Sequence, residues 1–144
     1  MTPAPSPSQS RPLEKLLASL SAAFSLTITA RLWMLVAGQQ PMWPLPALYF
    51  VEVVALPSLA TLATFRGDSY RTRAGFVAAG ALSTFSFLGA LTVGLFYLPL
   101  VLLELATAVA SRVHTPDRLS TSAGLLVGAA LLQAVIMATV VQLA

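Results

Sequence analysis

The chain contains no cysteine and only one histidine, His114. Without cysteine it can form no disulfide and hold no thiolate-bound metal. A single histidine also argues against a zinc site or a pair of axial haem ligands. No phosphate-binding loop or activated nucleophile is recognisable. The sequence therefore predicts no metal site, no cofactor and no enzymatic activity.

Charged residues are also scarce. They make up 9% of the 144 residues, whereas a soluble domain has about 25%. Hydrophobic residues make up 57% and the mean hydropathy is +0.83, which excludes a water-soluble globule because too little polar surface is left to cover it. The net charge of +3 does not indicate nucleic-acid binding, since the basic residues lie in short segments between apolar runs.

Long apolar runs are what the chain has instead, and about 20 apolar residues form a helix that crosses a bilayer core. The longest run, Ala74–Ser111, contains one ionisable residue, Glu104. As a single helix it would be nearly twice as long as the core is thick, so we predict two spans joined by a turn within Phe87–Gly94. We predict five membrane helices, near Leu13–Gly38, Pro46–Phe65, Ala74–Leu88, Leu91–Ser111 and Leu119–Leu143.

The basic residues predict the orientation of these helices. Seven of the eight, all except Arg31, lie in three segments, Arg11–Lys15, Arg66–Arg73 and Arg112–Arg118, whereas the turns Gly38–Pro46 and Phe87–Gly94 carry no charge. Five spans place the three basic segments on one side, which the positive-inside rule makes cytoplasmic, and four spans would separate them. The predicted fold is an all-α bundle of five helices in the cell membrane, with a cytoplasmic N-terminus.

The N-terminal residues 1–12 are rich in proline and serine and are predicted to form a disordered tail before a single transmembrane domain, 13–144. A basic start before an apolar segment also fits a secretory signal peptide with a cleavage site at Ile28–Ala30. The apolar pattern continues to Val36, as in a retained membrane helix.

Two pairs of segments resemble each other. Leu59–Arg66 is similar to Leu105–Arg112, and Ala74–Leu82 is similar to Ala123–Leu131. The similarity predicts a duplicated helical hairpin, formed by spans two and three and by spans four and five. Chance similarity between helices rich in alanine and leucine is the alternative.

Small residues spaced four apart let membrane helices approach closely. This spacing occurs at Gly124 and Gly128 in the fifth span, at Ser21, Ser25 and Thr29 in the first, and at Gly75, Ala79 and Ser83 in the third. It predicts a tight bundle, with contacts either inside the chain or to the helix of a partner.

Arg31 and Glu52 lie inside apolar spans, where a charge is costly unless it is paired or faces a cavity. Each lies about 10 Å from the outer end of its span, at 1.5 Å per residue. Their equal depths predict an ion pair between them. The alternative is that the long side chain of Arg31 reaches the outer membrane surface.

Glu104 lies near the middle of its span, too deep for its side chain to reach water. Tyr97, Thr107 and Ser111 fall on the same helical face, and Pro99 removes a backbone hydrogen bond nearby. We expect Glu104 to be protonated, since burial disfavours the charged form. These residues predict a proton or cation site, and a structural hydrogen bond between helices is the alternative.

Two functions are compatible with these patterns. The first is a non-catalytic accessory or structural subunit of a larger membrane complex. The second is a small oligomeric transporter or ion-coupling protein that uses Glu104 and the pair of Arg31 and Glu52. The expected partners are the lipid bilayer and either other membrane subunits or further copies of the chain. The first function is favoured because nothing in the sequence selects a substrate.

Overall fold

A computed structural model describes residues 12–38, 45–66, 70–88, 94–112 and 119–143. These residues form helices α1 (Pro12–Val36), α2 (Leu45–Arg66), α3 (Arg71–Leu88), α4 (Leu98–Arg112) and α5 (Leu119–Leu143), with a 3₁₀ turn, Gly94–Tyr97, before α4. The described segments contain no strand, so the all-α prediction is confirmed. Residues 1–11 of the predicted tail, most of both uncharged turns and His114 lie outside the described residues, and Pro12, the last residue of the predicted tail, begins α1.

Four segments are long and apolar enough to cross a membrane, namely Pro12–Val36, Ala47–Arg66, Gly94–Arg112 and Ser120–Gln142. They indicate a membrane protein. The remaining helix, α3, is less apolar because its first turn contains Arg71, Thr72 and Arg73. It is nevertheless heavily buried, so its surface is matched to other helices and not to lipid.

The packing order explains this position of α3. Helices α1, α2, α3 and α4 form a ring in which each packs on the next, and α4 closes the ring on α1. Helix α5 packs on the outside of α3. Helix α3 thus has neighbours both inside and outside the ring, which allows it to be the least apolar of the five.

Contacts between side chains give the helix directions. Ser25 of α1 bonds Val53 of α2, and Thr61 of α2 bonds Ala18 of α1, so these two helices are antiparallel. The start of α1 therefore lies at the same end of the bundle as the end of α2. The same end carries Lys15, Arg66, Arg71, Arg73 and Arg112, and we call it the basic end. The five-span prediction placed these residues on one side of the membrane.

Helices α3 and α5 are parallel and closely packed. Thr84 Oγ1 of α3 donates a hydrogen bond to the Ala130 carbonyl oxygen of α5 (2.9 Å), and Gly80, one turn earlier, faces Leu126. A Cβ atom at Gly80 would collide with the Leu126 carbonyl group. Gly75 is similarly tight on the other side of α3, where a Cβ atom would lie 2.9 Å from the Cβ of Ala108.

The Gly80→Ala variant is expected to lose about 1–3 kcal/mol of unfolding free energy, because the added methyl group overpacks a backbone contact. Gly124→Ala is the matched control, since nothing lies within 4 Å of a Cβ at Gly124. Thermal unfolding of both variants in detergent measures the difference. Equal melting temperatures for the two variants would contradict the close contact of α3 with α5.

Gly124 and Gly128 of α5 do not pack against the part of the chain that the structure describes. Both Gly124 and Gly128 are exposed, and nothing lies within 4 Å of a Cβ at either position. The duplicated hairpin also receives no support from the packing. Helix α2 packs on α3, whereas α4 makes at most marginal contact with α5, because α5 follows the groove at Gly80 of α3.

The apolar core lies toward the end opposite the basic end. Its aromatic centre is a chain of edge-to-face contacts from Tyr49 to Phe85 and from Phe85 to Tyr97, with ring centroids 5.4 and 5.2 Å apart. Leu32, Phe50, Val53, Leu82, Leu100 and Met137 complete this cluster. In the basic half several polar side chains are buried, among them Glu14, Ser21, Arg71, Thr72 and Ser111.

Candidate functional site: a polar seam between α1 and α4

One face of α1 is buried in the ring although it is largely polar. The buried residues of this helix are Glu14, Ala18, Ser21, Ser25, Thr29 and Leu32, at the three- and four-residue spacing of a single helical face. On α4 and the turn before it, the buried face contains Tyr97, Leu100, Glu104, Thr107, Ala108 and Ser111. The two faces meet along the inside of the ring.

Three hydrogen bonds connect these faces, and we call the six residues that form them the polar seam. Ser111 Oγ donates to Glu14 Oε2 (3.4 Å), Ser21 Oγ donates to Glu104 Oε1 (2.5 Å), and the Thr29 and Tyr97 hydroxyl groups bond each other (3.2 Å). Successive bonds are seven or eight residues apart, or about two helical turns. The seam therefore extends over about 22 Å of a bilayer core about 30 Å thick.

Glu104 lies at the centre of the seam and is 1% exposed. The structure places Tyr97, Thr107 and Ser111 on the same buried face, where the helical spacing predicted them. Thr107 does not bond the carboxyl group, because its hydroxyl donates to the Leu103 carbonyl oxygen in its own helix (2.8 Å). The hydrogen-bond partner of Glu104 comes from α1, at Ser21.

The predicted role of Pro99 is corrected by the structure. Pro99 lies in the first turn of α4, where a proline removes no helical hydrogen bond, so it does not break a helix near Glu104. Pro57 lies inside α2 and frees the Val53 carbonyl oxygen, as expected from its missing N–H group. That oxygen accepts a bond from Ser25 Oγ (2.7 Å), so it stabilises the contact of α1 with α2.

The predicted ion pair of Arg31 with Glu52 is absent from the structure. Arg31 is exposed, and Glu52 Oε2 accepts a hydrogen bond from Nε2 of Gln133 in α5 (2.6 Å). Arg31 follows the buried Thr29 by two residues, which turns it about 200° around α1 and away from the ring. The estimate of depth was insufficient because it ignored which way each helical face points.

A buried ion pair at the basic end was missed. The Arg71 Nε atom lies 3.4 Å from Glu14 Oε2. Both residues are buried, with Arg71 2% and Glu14 1% exposed. Arg71 had been assigned to a polar loop. A signal was present, since Glu14 precedes Ser21 by seven residues and so continues the stripe of Ser21, Ser25 and Thr29 toward the helix start.

The described residues contain no group of three or more metal-ligating side chains. Comparisons with protein-family models, with curated proteins and with solved structures gave no match. The side chains of the seam themselves allow two kinds of chemistry. A carboxyl group beside hydroxyl groups can take up or release a proton, or fix two helices through hydrogen bonds.

Proposed function

We propose that the protein is a non-catalytic structural or accessory subunit of a larger complex in the cell membrane. The observation that supports this most is that the seam groups bond to one another across the ring. Each hydroxyl group of the seam forms its hydrogen bond with a residue of another element, as expected for groups that fix helix positions. A solute carrier needs polar groups that line an accessible internal site.

The grooves of the molecule support the same proposal. Three of them, with volumes of about 390, 440 and 180 Å³, lie between neighbouring helices on the bundle surface. Their lining is almost wholly apolar, and neither Glu104 nor Glu14 lines any of the three. Such grooves suit lipid chains or the helices of other membrane subunits, and not a polar substrate.

The test is the size of the particle that contains the protein in its native membrane. The tagged chain, of 15.1 kDa, is expected to migrate in mild detergent with a second membrane protein at fixed stoichiometry. The same chain overproduced alone is the control and should be smaller. Recovery of only the isolated chain or its homo-oligomer from native membranes, with proton or cation flux in proteoliposomes, would contradict the proposal.

A second candidate function is proton coupling at Glu104. The specific observation in its favour is a carboxyl group buried at mid-span on a seam that reaches toward the basic end through Ser111 and Glu14. The hydroxyl side chains of Thr107 and Ser111 lie on the buried face of α4 between Glu104 and the contact with Glu14 of α1. Rows of polar groups of this kind occur in proton relays of membrane proteins. Variants at Glu104 separate this function from the first.

A further inference from the structure

The basic end has a large excess of positive charge among the described residues. Five cationic side chains lie there, Lys15, Arg66, Arg71, Arg73 and Arg112, and one carboxylate, Glu14. Glu14 forms its ion pair with the buried Arg71. Lys15 and Arg66 have no salt bridge to a described carboxylate, and they lie near the ends of α1 and α2, where apolar segments meet the membrane surface.

Lys15 of α1 and Arg66 of α2 lie at the same end of two helices that pack on each other. The Lys15 ammonium group lies 5.9 Å from the centroid of the Phe65 ring, and Arg66 follows Phe65 directly. The ring is half exposed and Arg66 is exposed, so both are open to a ligand from the bilayer. Cationic groups over aromatic rings at the end of an apolar helix are typical of the headgroup level of a membrane.

Apolar side chains continue from this edge toward the membrane interior. Leu16 and Leu20 of α1 and Leu59 and Leu62 of α2 are all exposed on the helices that carry the two cations. A ligand that suits both parts has an anionic head and long apolar chains. Nucleic acid or a soluble anion would match the charges and leave the apolar faces without a partner.

We propose that Lys15 and Arg66 form a binding site for the headgroup phosphate of an anionic phospholipid. The two cations bind the phosphate, and the acyl chains lie along the exposed leucines of α1 and α2. The charge complementarity follows from Lys15 and Arg66, and the position follows from the basic end of the bundle. Such lipids are concentrated on the cytoplasmic leaflet, where the positive-inside rule places this end.

The test compares phosphatidylglycerol with phosphatidylcholine bound to the full chain, measured by native mass spectrometry from detergent. Phosphatidylglycerol is expected to bind several-fold more tightly. Each removed cation should weaken it about fivefold, since a basic residue near the surface contributes about that factor. The affinity of the Lys15→Gln, Arg66→Gln double variant for phosphatidylglycerol should therefore be about 25-fold lower, and Lys15→Arg should retain binding.

Arg31→Gln is the matched control, because it removes one exposed cation from the opposite half of the bundle. It should leave phosphatidylglycerol binding unchanged. Equal binding of the two lipids, or an equal loss in Arg31→Gln, would overturn the proposal. Displacement of bound phosphatidylglycerol by millimolar inorganic phosphate would show a site for free phosphate and overturn the assignment to lipid. Melting of each variant in neutral detergent checks that it is folded.

Discussion

The Arg71→Gln variant is expected to lose about 3–5 kcal/mol of unfolding free energy, because it leaves the Glu14 carboxylate buried without its cation. The two residues are 2% and 1% exposed, and their closest charged atoms are 3.4 Å apart. Thermal and denaturant unfolding in detergent measure the loss.

Arg73→Gln is the matched control for Arg71→Gln. Arg73 lies in the same turn of α3 but is exposed, and an exposed charge contributes about 0–1 kcal/mol. The Glu14→Gln, Arg71→Gln double variant should recover most of the lost stability, since no uncompensated charge stays buried. Equal losses at positions 71 and 73, or additive losses in the double variant, would show that the ion pair contributes nothing.

Helix number and direction were predictable because they depend on average properties of long segments. About 20 apolar residues are needed whatever their order, and the charge of each connecting segment depends only on composition. The break between α3, which ends at Leu88, and α4, which begins at Leu98, was predictable from length alone. The bounds of α3 were less accurate, because the helix begins at Arg71 and its first turn contains two arginines that hydropathy assigns to a loop.

The buried face of the seam was predictable in part because helical spacing relates residues of one helix. Tyr97, Thr107 and Ser111 fall beside Glu104 in this way. The spacing gives no rotation of one helix against another, and that rotation decides which residues meet. It separates Arg31 from Glu52 and brings Gln133 to Glu52, a contact between residues 81 positions apart.

The central position of α3 shows a further limit of the sequence. Hydropathy predicts how much of a helix contacts lipid. Helix α3 is largely buried because α2, α4 and α5 pack around it. Gly80 determines this packing through the space its missing side chain leaves for Leu126. The pattern of small residues four apart selected Gly124 and Gly128, which are exposed, and did not include Gly80.

The Glu104→Ala variant is expected to lose about 2–4 kcal/mol of unfolding free energy. It leaves a cavity in the ring and removes the acceptor of the Ser21 hydroxyl group. Glu104→Gln should keep nearly all of the stability, since the amide oxygen can accept the same bond and the side chain has the same size. Unfolding of both variants in detergent measures the difference, and Ser21→Ala measures the bond alone, at about 0.6–1.7 kcal/mol.

The same pair of variants separates the two candidate functions. If Glu104 only fixes α1 to α4, Glu104→Gln should assemble with its native partners as the wild type does, and Glu104→Ala should not. If Glu104 carries a proton, Glu104→Gln should be folded and assembled but should lose any pH-driven flux in proteoliposomes, because an amide does not titrate. Glu52→Gln is the matched control, since it removes the other mid-span acid from a half-buried position outside the seam. A Glu104→Gln protein that is stable and assembled but without the flux of the wild type would refute the purely structural role, because it has every contact that this role requires.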